Sequence, residues 1–182
     1  NRCNAFRLAS SQKLFNYWWG NDFEVTSGDL SGDWHHVVAS FDGTTRKIYL
    51  DGNLLGSNTA SGLNATVMNF RIGSTNNGEY FDGLIDEVSV WDIALEEEAI
   101  QSTMLNGLSG DENGLVVYYP VWEAPSGELI DRSGNGNNAQ FMSGASWIEK
   151  ESGNVTSSFC DATVPNGWTD NADDINDNCY SN

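Results

Sequence analysis

Two closely spaced Asp-Gly pairs constrain the fold of this chain more than any other feature. Asp42-Gly43 and Asp51-Gly52 separate three runs of β-branched and aromatic residues within residues 34–56. Asp-Gly supplies the positive φ angles that tight hairpin turns require, so the turns fix the register of the flanking strands locally. The stretch therefore predicts a three-stranded antiparallel β-meander.

Further apolar runs predict strands on both sides of this meander. They cover residues 5–8, 14–20, 23–26, 68–72 and 84–91. The run 14–20 carries aromatic side chains on both faces, which is typical of a central strand. Three consecutive glutamates, residues 96–98, favour the start of a short helix that ends near Leu105, because acidic side chains are stabilised in a first helical turn. Ile100 and Met104 would pack that helix against the sheets.

Residues 34–56, together with Ile72-Gly73 and the run 81–91, resemble the laminin-G-like, concanavalin A-like jelly-roll family and its pentraxin relatives. The resemblance spans residues 6–105 and rests on two separate motifs in the expected order. It implies an antiparallel two-sheet jelly-roll sandwich. Together with the predicted short helix and a disulfide-closed acidic tail, which the cysteines near the C-terminal end suggest, the expected fold class is all-β. Members of this family are usually recognition modules of extracellular proteins.

The segment 114–148 stands at a different place in the chain from the family's matching strands. It is similar to the family's opening strand pair, yet it follows the body of the domain, and the strands expected before Phe6 are missing. Either the segment completes the sandwich, as in a permuted fold, or it begins the next unit of a tandem array. The first alternative is favoured, because a lone strand pair would leave Tyr118, Trp122 and Trp147 without a core. We therefore expect a jelly roll over residues 1–148 and a linker with an acidic tail over 149–182.

The composition excludes two classes of partner. Eight Lys and Arg residues oppose 26 Asp and Glu residues, which gives a formal net charge of −18. Such a chain repels phosphate backbones and anionic lipid surfaces, so nucleic acid is excluded. No run approaches the roughly 18 apolar residues of a membrane span, so membrane insertion is not expected. The glycosylation sequons at Asn64 and Asn154 indicate an extracellular protein, either secreted or at the cell surface.

The tail combines cysteines with closely spaced oxygen ligands. A Cys160–Cys179 disulfide is the simplest pairing of the three cysteines and leaves Cys3 odd. Between the paired cysteines, the tail is similar to a fragment of a thrombospondin type 3 repeat, although it lacks the glycine after the third ligand and the distal acid. Two interpretations stay open, a calcium site or a solvated tail held by the disulfide. The candidate calcium ligands are Asp170, Asp173, Asp174, Asn176 and Asn178.

A polar loop before the run 81–91 is the predicted ligand-binding site of the jelly roll. The resemblance to pentraxins places calcium ligands at Asn77, Glu79 and Asp82, and Asn76 lies beside them. A glycan site also needs an aromatic platform, which Tyr80, Trp18 or Trp19 could supply. The alternative is that the two tryptophans belong to the core, because aromatic side chains are mostly buried.

Three functions are consistent with the sequence. The favoured one is a non-enzymatic recognition or adhesion module that binds extracellular glycans or proteins with the help of calcium. The first alternative is a filament subunit, in which copies of the chain exchange strands or tails. The second is a glycoside hydrolase, which needs two carboxyl groups about 5 to 5.5 Å apart in the retaining case. Asp82 and Asp86 would share a strand face but Leu84 separates them, so an enzyme is not predicted.

Overall fold

A computed structural model describes residues 4–10, 12–18, 20–60, 70–75, 79–120, 128–142, 145–146, 169–170 and 180–181. These residues form antiparallel strands and one short helix, which confirms the predicted all-β class. The strands are β1 Asn4–Ser10, β2 Lys13–Trp18, β3 Phe23–Thr26, β4 Val37–Phe41, β5 Thr45–Leu50, β6 Asn53–Thr59, β7 Val88–Trp91, β8 Leu115–Tyr119, β9 Glu128–Leu129, β10 Ala139–Gln140, β11 Thr169–Asp170 and β12 Tyr180–Ser181. The helix, α1, is Glu97–Asn106, and no helix in the described part has the length and apolar content to cross a bilayer.

The chain divides into two units. The first comprises Asn1–Phe70 and Ile93–Met104, and the second comprises Arg71–Asp92 and Leu105–Asn182. Two three-stranded sheets, ordered β1-β2-β3 and β4-β5-β6, belong to the first unit. The pairs β7-β8, β9-β10 and β11-β12 belong to the second.

The predicted meander is confirmed as the sheet β4-β5-β6. Gly43 has a φ of 99°, and Asp51 and Gly52 have φ angles of 50° and 74°, so both Asp-Gly pairs supply the expected turn conformation. The Asp42 carboxylate accepts hydrogen bonds from the amides of Thr44, in the turn, and Thr45, the first residue of β5, at 2.8 and 2.7 Å. These bonds lower the pKa of Asp42, because they favour its charged form. The first turn is therefore fixed by side-chain as well as backbone chemistry.

The helix α1 is held against the second turn of the meander. A Cβ atom at Gly52 would approach Cγ of Gln101 to 2.9 Å, so only glycine allows this contact. The Gln101 side-chain amide also donates to the Gly52 carbonyl at 3.0 Å. Ile100 is completely buried, as predicted from its position in the helix.

The side chains of β2, the central strand of the sheet β1-β2-β3, alternate between a core face and an outer face. Leu14, Asn16 and Trp18 of β2 are buried, and the alternating Phe15 and Tyr17 are only partly buried. On that outer face, the Arg7 guanidinium carbon lies 5.4 Å from the Phe15 ring centroid and 5.1 Å from that of Tyr17. The central position predicted for this aromatic run is confirmed.

A buried arginine connects the two sheets of the first unit. Arg46 of β5 is 1% exposed, and its guanidinium carbon lies 4.4 Å from the Trp18 ring centroid and 5.5 Å from that of Phe23. Cation–π contacts of this kind are strongest when the cation is desolvated. The Trp18 ring also packs edge-on against Phe41 of β4, with 4.8 Å between the centroids. The core of this unit therefore forms around a cation between aromatic rings.

Neutral oxygen atoms accept the hydrogen bonds of this cation. Arg46 Nε donates to Asn58 Oδ1 at 3.0 Å, and Nη1 donates to the Asn21 carbonyl at 2.7 Å and to Asn16 Oδ1 at 3.4 Å. Burial lowers the pKa of Arg46, and the nearby Asp22 opposes that shift. Nη2 has no hydrogen-bond partner among the described residues. The site thus carries an electrostatic cost that its hydrogen bonds and ring contacts must offset.

In the second unit, β8 pairs with β7 within the same chain. Val88 of β7 lies opposite Tyr119, and Val90 lies opposite Val117. Both faces of β8 are covered, since Leu115, Val117, Tyr118 and Tyr119 are all buried. The sequence predicts such a strand, and the structure pairs it with β7 of the same chain. That the segment 114–148 completes the sandwich stays a prediction. The wider boundaries, 1–148 and 149–182, stay predictions.

The loop that follows β9 occupies the other edge of β8. The Asp131 carboxylate accepts from the amides of Tyr118 (3.0 Å), Ser133 (2.9 Å) and Asn137 (2.9 Å). Burial favours the neutral acid, but these hydrogen bonds outweigh it and lower the pKa of Asp131. Side chains of the same loop donate to the Val116 carbonyl. Because this edge is satisfied inside the chain, β8 gives no support to the filament alternative.

Two predicted strands are wrong in their extent. The run 84–91 was expected to be one buried strand, but β7 begins only at Val88, and residues 84–87 are exposed. Glu87 has a φ of 51°, which no extended strand allows, so the chain turns there before β7 starts. Of the predicted strand 68–72, residues 70–72 lie in no strand and residues 68–69 lie outside the described residues.

Arg46 generates the first prediction. Arg46→Met removes every hydrogen bond of the guanidinium and leaves three acceptors without their donor, so we expect a loss of about 2–4 kcal/mol in the free energy of unfolding. Arg46→Lys keeps the charge but not the planar group, and we expect it to be destabilised as well. Urea denaturation measures both variants.

Lys13→Met is the matched control for these variants. Lys13 lies in β2 and forms an exposed ion pair with Glu24 at 2.6 Å. Exposed pairs contribute little, so this variant is expected to stay within about 0.5 kcal/mol of the wild type. Equal stability of Arg46→Met and the wild type would show that the buried cation does not hold the sheets together.

His36 generates a pH prediction. Burial lowers its pKa, and the nearby Asp51 opposes this shift. Because the folded state favours the neutral ring, stability is complete above the unfolded pKa of about 6.5 and falls as the pH falls toward the folded pKa. Urea midpoints between pH 7.5 and 5.5 should therefore decrease, and His36→Gln should flatten that decrease. Identical pH dependence in the two proteins would contradict the prediction.

Candidate functional site

The predicted binding loop forms a hairpin in the second unit. Ser74 and Tyr80 form an antiparallel bridge, and the Thr75 amide donates to the Glu79 carbonyl at 2.9 Å. The Thr75 hydroxyl donates to Glu79 Oε2 at 3.0 Å. We name the two arms, residues 73–75 and 79–81, the Tyr80 hairpin. These bonds hold the arms together, and residues 76–78 lie outside the described residues.

Tyr80 is presented to solvent by this hairpin. Its side chain is 75% exposed, although its backbone is paired with Ser74. The next residue, Phe81, is 43% exposed, and its amide donates to the Gly73 carbonyl at 2.8 Å. An ordered backbone that carries an exposed aromatic ring can supply a platform for the apolar face of a sugar.

Phe81 lies against a glycine. A Cβ atom at Gly83 would meet Cε1 and Cζ of the Phe81 ring at 2.7 and 2.9 Å. The ring therefore rests on the Gly83 backbone, in space that any other residue would fill. This contact holds the Phe81 ring against the Gly83 backbone.

Two of the predicted ligand residues flank the aromatic pair. Glu79 and Asp82 are both exposed. Glu79 is bonded to Thr75, while Asp82 accepts no hydrogen bond from any described residue. Among the described residues, no three His, Cys, Asp or Glu side chains come close enough to hold a metal ion. The arrangement provides hydrogen-bond acceptors for a ligand and two carboxylates of the proposed calcium site.

Of the proposed aromatic platforms, only Tyr80 is found on the surface in the described part of the chain. Trp18 is 6% exposed and forms part of the Arg46 site, so it is a core residue. Trp19 lies outside the described residues. The core interpretation therefore applies to Trp18, and the interpretation of Trp19 stays a prediction.

The remaining predicted site residues are mostly outside the described residues. Asp170 is in β11, where its backbone pairs with Tyr180 of β12. The others lie outside the described part, and their roles stay predictions: Asn76 and Asn77 in the loop, Asp173, Asp174, Asn176 and Asn178 in the tail, the cysteines Cys160 and Cys179, and the sequons Asn64 and Asn154.

One perturbed carboxyl group was not predicted. Glu87 Oε2 accepts a hydrogen bond from Tyr118 Oη at 2.6 Å. Burial raises the pKa of Glu87, and the tyrosine bond opposes the shift. Burial and the same bond raise the pKa of Tyr118. No local sequence pattern joins residues 87 and 118, so the pair is visible only once β7 and β8 are paired.

Comparison with known families agrees with this fold and with the resemblance seen in the sequence. A model of the concanavalin A-like lectin/glucanases superfamily matches residues 4–101, more than half of the chain. The chain belongs to this superfamily. No curated protein sequence matches it.

Solved structures also show similarity. A protein from Bacteroides ovatus, provisionally described as carbohydrate binding, is 25% identical with a TM-score of 0.59. The match covers 70% of this chain and 39% of the other, so this superfamily member spans well under half of that protein. An S-layer domain-containing protein from Clostridium thermocellum is 20% identical over 56% of this chain and 61% of the other, with a TM-score of 0.32. That second similarity is too low to support an argument.

Proposed function

We propose that this chain is an extracellular, non-enzymatic module that binds glycans, as in adhesion, at the Tyr80 hairpin. Its superfamily contains lectins and glucanases, and a similar solved structure is provisionally described as carbohydrate binding. The observation that carries the proposal is the 75% exposure of Tyr80 on a hydrogen-bonded hairpin between two acidic side chains. Lectin sites commonly combine these elements, an aromatic face for the sugar ring and a few fixed polar groups for its hydroxyls.

Binding without cleavage is part of this proposal. A retaining glycosidase uses one carboxyl group as acid and another as nucleophile, both free to reach the substrate. Among the described residues, the carboxyl group with a raised pKa is Glu87, and its Oε2 already accepts a hydrogen bond from Tyr118 Oη. Release of reducing ends from a bound glycan would contradict this part of the proposal.

Calcium dependence is also proposed, on the resemblance to pentraxins. Glu79 and Asp82, on either side of Tyr80 in the sequence, would supply two carboxylate ligands. Asn77 would add an amide oxygen. Millimolar calcium is expected to raise the melting temperature, because a cation that binds only the native state stabilises it by mass action. Differential scanning calorimetry compares the melting temperature with added calcium and with a chelator. Superimposable melting curves under the two conditions would rule out a stabilising calcium site.

Tyr80→Ala tests the glycan site directly. We expect at least about a tenfold loss of affinity for the glycan that binds best, because the stacking surface is removed. The melting temperature should hardly change, since the side chain is largely in solvent. Tyr80→Trp should keep most of the affinity, because it retains an aromatic face. A glycan array identifies the ligand, and isothermal titration calorimetry measures each variant.

Trp34→Ala is the matched control. Trp34 is also an exposed aromatic residue, at 45%, but it lies in the loop before β4 of the first unit. Its replacement should leave glycan affinity unchanged. Wild-type affinity in Tyr80→Ala, or an equal loss in Trp34→Ala, would remove the support for the Tyr80 hairpin as the site.

A further inference from the structure

The Tyr80 hairpin is joined to β7 by a short exposed segment. Residues 82–87 lie in no strand or helix, and all of them are exposed. We name this segment the connector. Because the connector buries little of its own surface, the contacts at its two ends decide how firmly the hairpin is held.

One end of the connector folds back onto the base of the hairpin. The Phe81 amide donates to the Gly73 carbonyl at 2.8 Å, and this bond closes the base. A Cβ atom at Gly73 would lie 3.6 Å from Ile85 Cδ1, so the Ile85 methyl group lies over the Gly73 backbone. The Phe81 ring rests on Gly83, which also belongs to the connector. The connector and the hairpin base are therefore in contact at two points.

The other end of the connector is bonded to a buried strand. Glu87 Oε2 accepts a hydrogen bond from Tyr118 Oη at 2.6 Å, and Tyr118 of β8 is only 6% exposed. Burial and this bond raise the pKa of Tyr118, so its hydroxyl remains a donor. The pairing of β7 with β8 begins at Val88, so the bond adds an attachment just outside that ladder.

Glu87 also has an unusual backbone conformation. Its φ of 51° lies in the left-handed region, which residues with a Cβ atom rarely adopt. Glycine would adopt this conformation without strain, yet the position carries a long carboxylate side chain. The Glu87 amide donates to Asp86 Oδ1 at 2.8 Å, while Tyr118 holds the carboxylate. A residue persists in such a conformation when its surroundings fix it, and backbone strain of this kind is concentrated at functional positions.

We infer that Glu87 is a positioning residue, whose bond to Tyr118 fixes the turn before β7 and, through the connector, the orientation of the Tyr80 hairpin. Ile85, which contacts the hairpin base, lies only two positions before Glu87. The effect on the order of the hairpin does not depend on any ligand. The effect on glycan affinity rests on the proposed function, to which it adds the residue that holds the aromatic platform in place.

A fixed hairpin has a consequence for binding. When a binding element samples several orientations, only the competent fraction contributes, and the apparent dissociation constant rises as that fraction falls. An attachment that fixes the backbone in advance removes this loss. The bond between Glu87 and Tyr118 thus supports affinity without contacting the ligand.

Amide hydrogen exchange of the whole chain, measured by NMR, tests the attachment without a ligand. Tyr118→Phe removes only the hydroxyl, and Glu87→Gly removes the carboxylate while the φ angle stays allowed. In both variants, the Thr75 and Phe81 amides should exchange about three- to tenfold faster than in the wild type, because the hairpin opens more often once the bond is lost. Glu87→Gln keeps an oxygen acceptor and should stay near the wild-type rate.

Two comparisons separate a positioning role from general destabilisation. Amides of the β7-β8 ladder should be accelerated less than those of the hairpin, and equal acceleration of both would overturn the inference. Combining Glu87→Gly with Tyr118→Phe should have no more effect than either change alone, because both break the same bond. Asp92→Asn is the control, since it removes an exposed carboxylate at the other end of β7 and should leave the hairpin amides unchanged.

Glycan affinity provides the second measurement. Glu87→Gly and Tyr118→Phe should each weaken it by roughly two- to fivefold, and Glu87→Gln should restore it. Wild-type exchange of the hairpin amides in both weakening variants would overturn the inference and leave the glycan site standing. Faster exchange in both, in a chain that binds no glycan, would overturn the proposed function and leave the positioning role of Glu87 intact.

Discussion

The buried guanidinium of Arg46 is the interaction on which the first unit depends. Its side chain starts on β5, contacts rings from β2 and β3, and donates to oxygens of β2, β6 and the turn after β2. Among the described residues, no carboxylate accepts from it, so dipoles and ring faces, rather than an ion pair, offset the cost of desolvating the charge. Such a group tolerates little displacement, because its partners come from β2, β3, β6 and the turn after β2. The two sheets are therefore fixed to each other by one cation.

The second unit uses a buried anion in a comparable way. The Asp131 carboxylate accepts hydrogen bonds from three backbone amides. These bonds hold the loop that covers the edge of β8 opposite β7. A covered edge leaves β8 no backbone groups for another chain, and β7 fixes its other side. Next to β7 in sequence, the Tyr80 hairpin uses short-range bonds to hold its arms and leaves an aromatic ring in solvent. Rigid support and an exposed ring are what a recognition surface needs.

Sequence reasoning succeeded where structure depends on neighbours in the chain. The Asp-Gly turns, the bounds of β3 and the start of α1 follow from local turn and capping chemistry. It failed at residues 84–87, where apolar alternation suggested a strand but Glu87 adopts a φ of 51°. It could not find the burial of Arg46, because Asn16, Asn21 and Asn58 come from separate parts of the chain. For the site, a polar loop and Tyr80 as a possible aromatic platform were predicted, but the pairing that makes the loop a hairpin was not, and the Glu87–Tyr118 bond needs tertiary pairing.

The claim that the Tyr80 hairpin recognises glycans is tested most directly by solution NMR of the labelled chain during titration with the glycan that binds best. The Tyr80 ring signals and the amides of residues 79–82 should shift first and saturate together. Signals of Trp18 and Arg46 should not change, because both groups are buried in the first unit. Shifts centred on Phe15 and Tyr17 beneath Arg7, with Tyr80 unchanged, would place recognition on the outer face of β2 and contradict the account.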